Sequence, residues 1–178
     1  YPDRLDLTST GSFTVEFQYT ASGNRQADGI TLALQTQGTN AVGTVGGGLG
    51  YAGITGPAVA YQINIYAGHV QGSNLVTTNT SGTYLTTGNV AFDSGHAIQV
   101  QLVFNGDNNT VTENLTDTVN GTTFSRTYVG IDLSSLLGAY AYLGFTGGDG
   151  GDTSIQTVSN FSLTSTNPYG EAQPILID

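Results

Sequence analysis

The sequence predicts an all-β protein with two antiparallel sheets stacked face to face. Three observations predict this class. Apolar and polar residues alternate along several segments, as in Phe13, Val15, Phe17 and Tyr19 against Thr14, Glu16 and Gln18, which is the period of a half-buried strand. Hairpin signals punctuate the chain, above all Asn105-Gly106-Asp107-Asn108-Asn109 and then Asn120-Gly121, residue types that tight turns favour. Only residues 132–138 read as helical, for one turn, with Asp132 as N-cap and Gly138 as C-cap. About ten to twelve strands beside one helical turn fit a two-layer sandwich.

The elements follow in order. Leu5 and Leu7 are placed to cover a sheet edge after a short lead-in. The strand through Phe13 and Tyr19 ends in a polar loop over residues 21–26, closed by Ala27-Asp28-Gly29. Ile30, Leu32 and Leu34 make the next strand. Residues 35–50 form a long loop of small polar residues and glycine, and a loop of that length inside a domain is usually functional or pinned by a partner. Residues 59–66 alternate again, with Val59, Tyr61, Ile63 and Ile65 on one face and Ala60, Gln62, Asn64 and Tyr66 on the other. Short strands are expected at Leu75-Val76, Tyr84-Leu85 and Val90 to Phe92, separated by polar turns. Ile98, Val100, Leu102 and Phe104 alternate, a hairpin leads to residues 111–117, and a second leads to residues 124–128. Residues 140–145 and 155–163 are the last strands.

A chain of 178 residues suits one domain of this class. Three Arg, no Lys and thirteen acids give a net charge of -10. That balance argues against nucleic acid and anionic membranes, which need Lys and Arg on one face. The surface must be covered by Thr, Ser, Asn and Gly, the look of a secreted or cell-surface β protein. The absence of Cys excludes disulfides and thiol chemistry. No apolar run reaches the roughly 18 residues of a membrane helix, so no membrane insertion is expected. Tyr1 opens no signal peptide, so an exported protein would be in its mature form here. Five Asn-x-Ser/Thr sequons, at Asn79, Asn108, Asn114, Asn120 and Asn160, matter only where a host glycosylates.

The stretch that organises the chain is VGGGLGYAGITGPAVAYQINIY, residues 45–66. Consecutive glycines suit a surface loop with positive φ or a close approach by a ligand or backbone. That loop feeds a strand running through the sheet, an arrangement that commonly carries binding.

The residues also carry a resemblance. Ala27-Asp28-Gly29, then GGGLGYAGI, then a strand opening with Val59-Ala60, then AYLGFTGGDGG from Ala141 and a strand through Phe161 resemble, in that order, the L-type lectin domain, legume-lectin-like and concanavalin-like. The variant it looks like is the bacterial secreted type, and the likeness spans roughly residues 5–164. The resemblance implies a jelly-roll sandwich and a carbohydrate partner. It implies that Asp28 grips vicinal sugar hydroxyls, which a carboxylate does by accepting two hydrogen bonds at once. It places Gly47 and Gly48 as amide donors on a second loop, and Gly148 and Asp149 on a fourth. Tyr51 or Tyr66 would serve as an apolar floor. Each residue also has a plainer reading: Asp28 as a turn former with Gly29, the glycines as tight turns, and residues 146–149 as a strand connection.

The family carries Glu-x-Asp on the organising strand to hold its metals, whereas this chain has Gln62 and Asn64. Neutral amides do not supply the charge of a hard Ca²⁺ site. Downstream, Gly68, His69 and Gln71 stand where the family has further ligands. No resident cofactor is therefore expected, with a single Ca²⁺ at Asp149 and Asp152 the one arrangement left open. Hydrogen bonds from Gln62, Asn64 and His69 are the alternative brace for the third loop. No motif joins His69 or His96 to a Ser nucleophile, and no spacing pairs Glu16 with Glu113, so an enzyme is not expected.

Residues 1–166 are assigned to the sandwich and 167–178 to a C-terminal extension. Within it, Ile175-Leu176-Ile177 is a strand candidate that docks on its own domain or on a neighbour's sheet edge. The leading function is carbohydrate binding by a secreted bacterial module. The alternative is a structural subunit of an extracellular filament, sheath or adhesin, self-associating by strand exchange through residues 169–178.

Overall fold

The structure is a computed structural model and describes residues 4–8, 12–166 and 172–174. Its strands are β1 (Leu5–Asp6), β2 (Ser12–Ser22), β3 (Gly29–Gln35), β4 (Ala58–Asn64), β5 (Gly72–Val76), β6 (Ile98–Asn105), β7 (Thr110–Asp117), β8 (Thr123–Val129), β9 (Tyr140–Gly148), β10 (Ile155–Thr166) and β11 (Ala172–Pro174). A five-stranded sheet runs β1-β9-β3-β4-β5 and a six-stranded sheet runs β11-β10-β2-β6-β7-β8, with all pairings antiparallel. This is the expected two-layer sandwich.

The core lies between the sheets. β2 turns Phe13, Val15, Phe17, Tyr19 and Ala21 inward, and β6 turns Ile98, Val100, Leu102 and Phe104. They meet Leu32, Leu34, Val59, Ile63 and Leu143 from the other sheet. The six-stranded sheet alternates cleanly because its outer face is wet. β3 and β4 are instead buried along their whole length. Their outer face packs Ala33, Ala58 and Ala60 against Tyr51 and Ile54 of the covering loop, residues 36–57. Small residues on these strands let that loop lie close. The expected helical turn is α1 (Leu133–Leu137), where Asp132 accepts from the Ser135 N–H at 3.0 Å and Gly138 takes φ 79°.

Two expectations change. Tyr84-Leu85 forms only an isolated bridge, from Ser73 to Leu85, and Val90 to Phe92 forms no strand. The apolar residues there plug the sandwich edge without pairing: Tyr84, Val90 and Phe92 are buried, and Phe92 meets Tyr19 edge-on at 5.8 Å. Thr146-Gly147-Gly148, read as loop, is the end of β9, paired to Thr31, Ile30 and Gly29. At the C-terminus, Ala172–Pro174 pairs with residues 164–166 of the same chain, while Ile175-Leu176-Ile177 lies outside the described residues.

One buried polar cluster ties the sheets together. Glu113 of β7 faces inward with no solvent exposure. Its Oε1 accepts from Tyr61 Oη at 2.7 Å and from Ser73 Oγ, and its Oε2 accepts from Tyr128 Oη at 3.0 Å. Arg126 lies 3.8 Å from Oε2 and also donates to the Ser73 and Thr86 carbonyls.

Burial, reinforced by nearby carboxylates, pushes the hydroxyls of Tyr19, Tyr61 and Tyr128 above the ordinary phenol range, and burial pushes Tyr51 up to about 12. The unfolded chain releases these protons near pH 10 while the fold retains them, so stability falls as pH rises beyond about 10. The expected result is a lower urea midpoint at about pH 11 than at about pH 8, and equal midpoints would refute it.

Candidate functional site

Asp28 immediately precedes β3, and the Ala27–Asp28 peptide is cis. The backbone here is pinned on three sides. Asp28 N–H donates to Gly148 O at 3.1 Å, Asp28 O accepts from Ile65 N–H at 2.9 Å, and Ala27 O accepts from Ser154 Oγ at 2.7 Å. The residue is 6% exposed. Its carboxylate receives no hydrogen bond from any described residue. Burial holds its pKa above the usual carboxylate value, the charges of Asp149 and Asp152 add to the rise, and His69 opposes it. A fixed carboxylate of low exposure, with a raised pKa and no donor among the described residues, is a candidate functional group.

Two loops border it. The 3-10 turn over Gly46–Gly48 is stitched to the end of β9 by Gly46 N–H to Asp149 O at 3.2 Å. A Cβ on Gly148 would stand 2.9 Å from Gly46 O, so only glycine admits this approach. A Cβ on Gly46, whose φ is 60°, would stand 3.7 Å from Asp28 Oδ2, so glycine leaves the space over that oxygen open. Gly47 is exposed, its N–H has no partner among the described residues, and its carbonyl accepts from Ser81 Oγ at 2.6 Å. Gly48 differs from the expectation: its N–H is taken by Val45 O at 3.2 Å, so it offers no amide to a ligand. Asp149 and Asp152 are exposed beside Asp28.

The third loop, residues 65–71 between β4 and β5, supplies rings. Tyr66 is half-buried, with its ring against Gly68, where a Cβ would stand 2.2 Å from Cε1. His69 lies between Tyr66 and Tyr84, with centroids 6.0 and 6.3 Å away. Tyr51 corrects the sequence reading. It is 0% exposed in the cluster beneath the covering loop, and its hydroxyl donates to Thr78 O at 2.9 Å, so it is no floor for a ligand. Tyr51→Phe is expected to lose about 1 kcal/mol of stability in urea unfolding with ligand affinity unchanged. A change in affinity with intact stability would restore Tyr51 to the site.

The metals implied by the resemblance do not fit the residues present. Gln62 Nε2 donates to Thr80 O at 2.9 Å, and Asn64 Nδ2 donates to Tyr66 O and Val70 O, each at 3.0 Å. The oxygens left in place are neutral: Gln62 Oε1 and Thr31 Oγ1 are buried without partners among the described residues, and Asn64 Oδ1 accepts from Tyr66 N–H at 3.3 Å. Among the described residues, no three His, Cys, Asp or Glu gather to hold an ion.

The structure thus brings Asp28, Gly47, Tyr66, Gly148 and Asp149 to one end of the sandwich and removes Gly48 and Tyr51 from ligand contact. It adds Gly46, Ser81 and Tyr84. Ser81 and Tyr84 come from the edge-covering segment, and no local pattern signals them, because only the tertiary fold brings Ser81 to Gly47 and Tyr84 towards Asp28.

No family model matches the chain. Solved structures do. It is similar to a basic winged bean lectin solved with Tn-antigen, at TM-score 0.81 and 17% identity over 94% of this chain and 78% of that one. It is similar to lectin I-B4 of Griffonia simplicifolia in its metal-free form, at TM-score 0.78 and 18% identity over 93% and 78%. It is also similar to arcelin-5, a lectin-like defense protein of Phaseolus vulgaris, at TM-score 0.77 and 21% identity over 94% and 77%. With its paired sheets, its covering loop and its end-on loop cluster, this chain has the legume-lectin fold.

Proposed function

We propose that the chain is a carbohydrate-binding module that binds without catalysis and belongs to a secreted or surface-displayed bacterial protein. The single observation that carries the binding role is the Asp28 carboxylate, held by a pinned backbone and without a hydrogen-bond donor among the described residues. It accepts two sugar hydroxyls, the Gly47 N–H donates to a ring or hydroxyl oxygen, and Tyr66 with His69 offers an apolar wall. An open groove of about 430 Å³ continues from Gly148 and Asp149 past Phe145 and Val158, giving room for further units. The lectin neighbours, one solved with Tn-antigen, support a sugar as the ligand class. The sparse charge and the Thr- and Asn-rich surface support an extracellular setting.

A glycan array tests this reading with Asp28→Asn as control. Binding by the wild type that disappears in the variant supports it. Binding that survives the substitution removes Asp28 from the site, and no binding by either refutes carbohydrate recognition.

A further inference from the structure

We infer that the ligand-binding end of this chain is cation-independent, with the Asn64 side-chain amide fixing the third loop. The part of this inference that concerns sugar rests on the carbohydrate reading above. Asn64 ends β4 and is buried. Its Nδ2 donates to Tyr66 O and Val70 O, both at 3.0 Å, and its Oδ1 accepts from Tyr66 N–H at 3.3 Å. One amide group thus joins both ends of the turn that carries His69. Gln71 closes the far side, with Nε2 to Ile65 O at 2.6 Å and to Asp93 Oδ2 at 3.0 Å. Ile65 in turn donates to Asp28 O at 2.9 Å, so the braced loop is continuous with the backbone that aims the carboxylate.

The chemistry fixes the assignment. Tyr66 O and Val70 O only accept, so the group facing them must donate. An amide does this and a carboxylate cannot. A carboxylate in this place would meet two carbonyl oxygens and would need a cation between them. The chain has met the same geometric demand with neutral N–H groups, and Gln62, with its Nε2 on Thr80 O, repeats the device one step back along the strand. Asn64 is therefore a positioning residue, which acts through Tyr66 and His69.

The test has two arms. In the first, the wild type is compared in EDTA and in millimolar Ca²⁺ plus Mn²⁺. Thermal unfolding is expected to shift by less than about 2 °C, and glycan binding to be equal. A large upward shift with metal, or binding that appears only with metal, overturns the inference while leaving the carbohydrate reading intact. No binding in either buffer overturns the carbohydrate reading, and the thermal comparison still decides cation dependence. In the second arm, Asn64→Asp is followed by amide hydrogen exchange. Loss of two donors is expected to speed exchange at residues 66–71 at least about tenfold while strands β2 and β6 stay protected, and to weaken sugar binding by a similar factor. Unchanged exchange in that loop overturns the brace. Should Asn64→Asp fail to fold, Gln71→Glu, which removes the donors to Ile65 O and Asp93, gives the same local readout.

Discussion

Replacing Glu113 with alanine is expected to remove about 3–5 kcal/mol of stability, the cost of breaking a buried charge cluster from one side. For a domain near this size that lowers the melting temperature by about 10 °C or more. The reason lies in what stays behind. Tyr61 Oη and Ser73 Oγ lose their shared acceptor in the interior, Tyr128 Oη loses its own, and Arg126 keeps its charge without a counter-ion. Buried donors without acceptors carry their full desolvation cost. The cluster spans both sheets, with Tyr61 on β4 and Ser73 on β5 facing Glu113 on β7 and Arg126 and Tyr128 on β8. Glu113→Gln keeps the volume and one acceptor oxygen, so a smaller loss is expected. Thermal or urea unfolding of both variants checks this. A Glu113→Ala midpoint within about 3 °C of wild type would show the cluster contributes little.

Asp28→Asn is expected to weaken sugar binding about 100-fold or more, since two hydrogen bonds to a charged acceptor are weakened or lost. Stability at neutral pH should stay equal or rise slightly. The substitution removes a desolvated carboxylate that Asp149 and Asp152 repel and that no described residue stabilises by hydrogen bonding. That pairing of effects separates the two roles open to Asp28. A turn former would lose stability and leave binding intact, whereas a ligand acceptor does the reverse. The pH dependence follows with a definite sign. Burial first, then Asp149 and Asp152, raise the Asp28 pKa, so the folded chain holds this proton more tightly than the unfolded one. Acidification through that raised value neutralises the acceptor and weakens binding. The same step relieves the repulsion, so Asp28 contributes relative stability at low pH that is lost as pH rises through its folded pKa. The acid limb of a titration of affinity should therefore lie above the ordinary carboxylate value of about 4. A limb at or below that value would sink the assignment.

Much of the fold is legible in the sequence because period two is a local signal. Where one face of a strand is wet, as in β2, β6 and β7, alternation marks both the strand and its inward residues. The hairpin over residues 105–109, where Asn109 takes the positive φ, the hairpin at Asn120-Gly121 and the capped turn at Asp132 are equally local. Legibility fails where apolar residues do something other than pair. Tyr84, Val90 and Phe92 carry strand-like chemistry, yet they plug an edge from a loop. Thr146 to Gly148 looks like loop because glycine is rare in strands, yet it pairs with β3 so that the Gly46 turn can lie against it. Of the candidate site, Asp28 and the Gly47 loop are legible as motifs that follow one another in order along the chain. Tyr51 was misplaced because an aromatic beside a glycine loop reads the same whether it faces a ligand or the sheet below.

The class, the turns, the net charge and the neutral amides at Gln62 and Asn64 can be read from the residues alone. Those are properties of single residues and near neighbours. It takes the folded chain to show that Asp28 is largely buried with no donor among the described residues, that Asn64 turns its N–H groups onto two loop carbonyls, and that Glu113 is a buried acceptor for groups of both sheets. Each of these depends on what covers a group and what reaches it. Tyr61 stands 52 residues from Glu113 and Ser73 stands 40, separations over which no periodicity carries information.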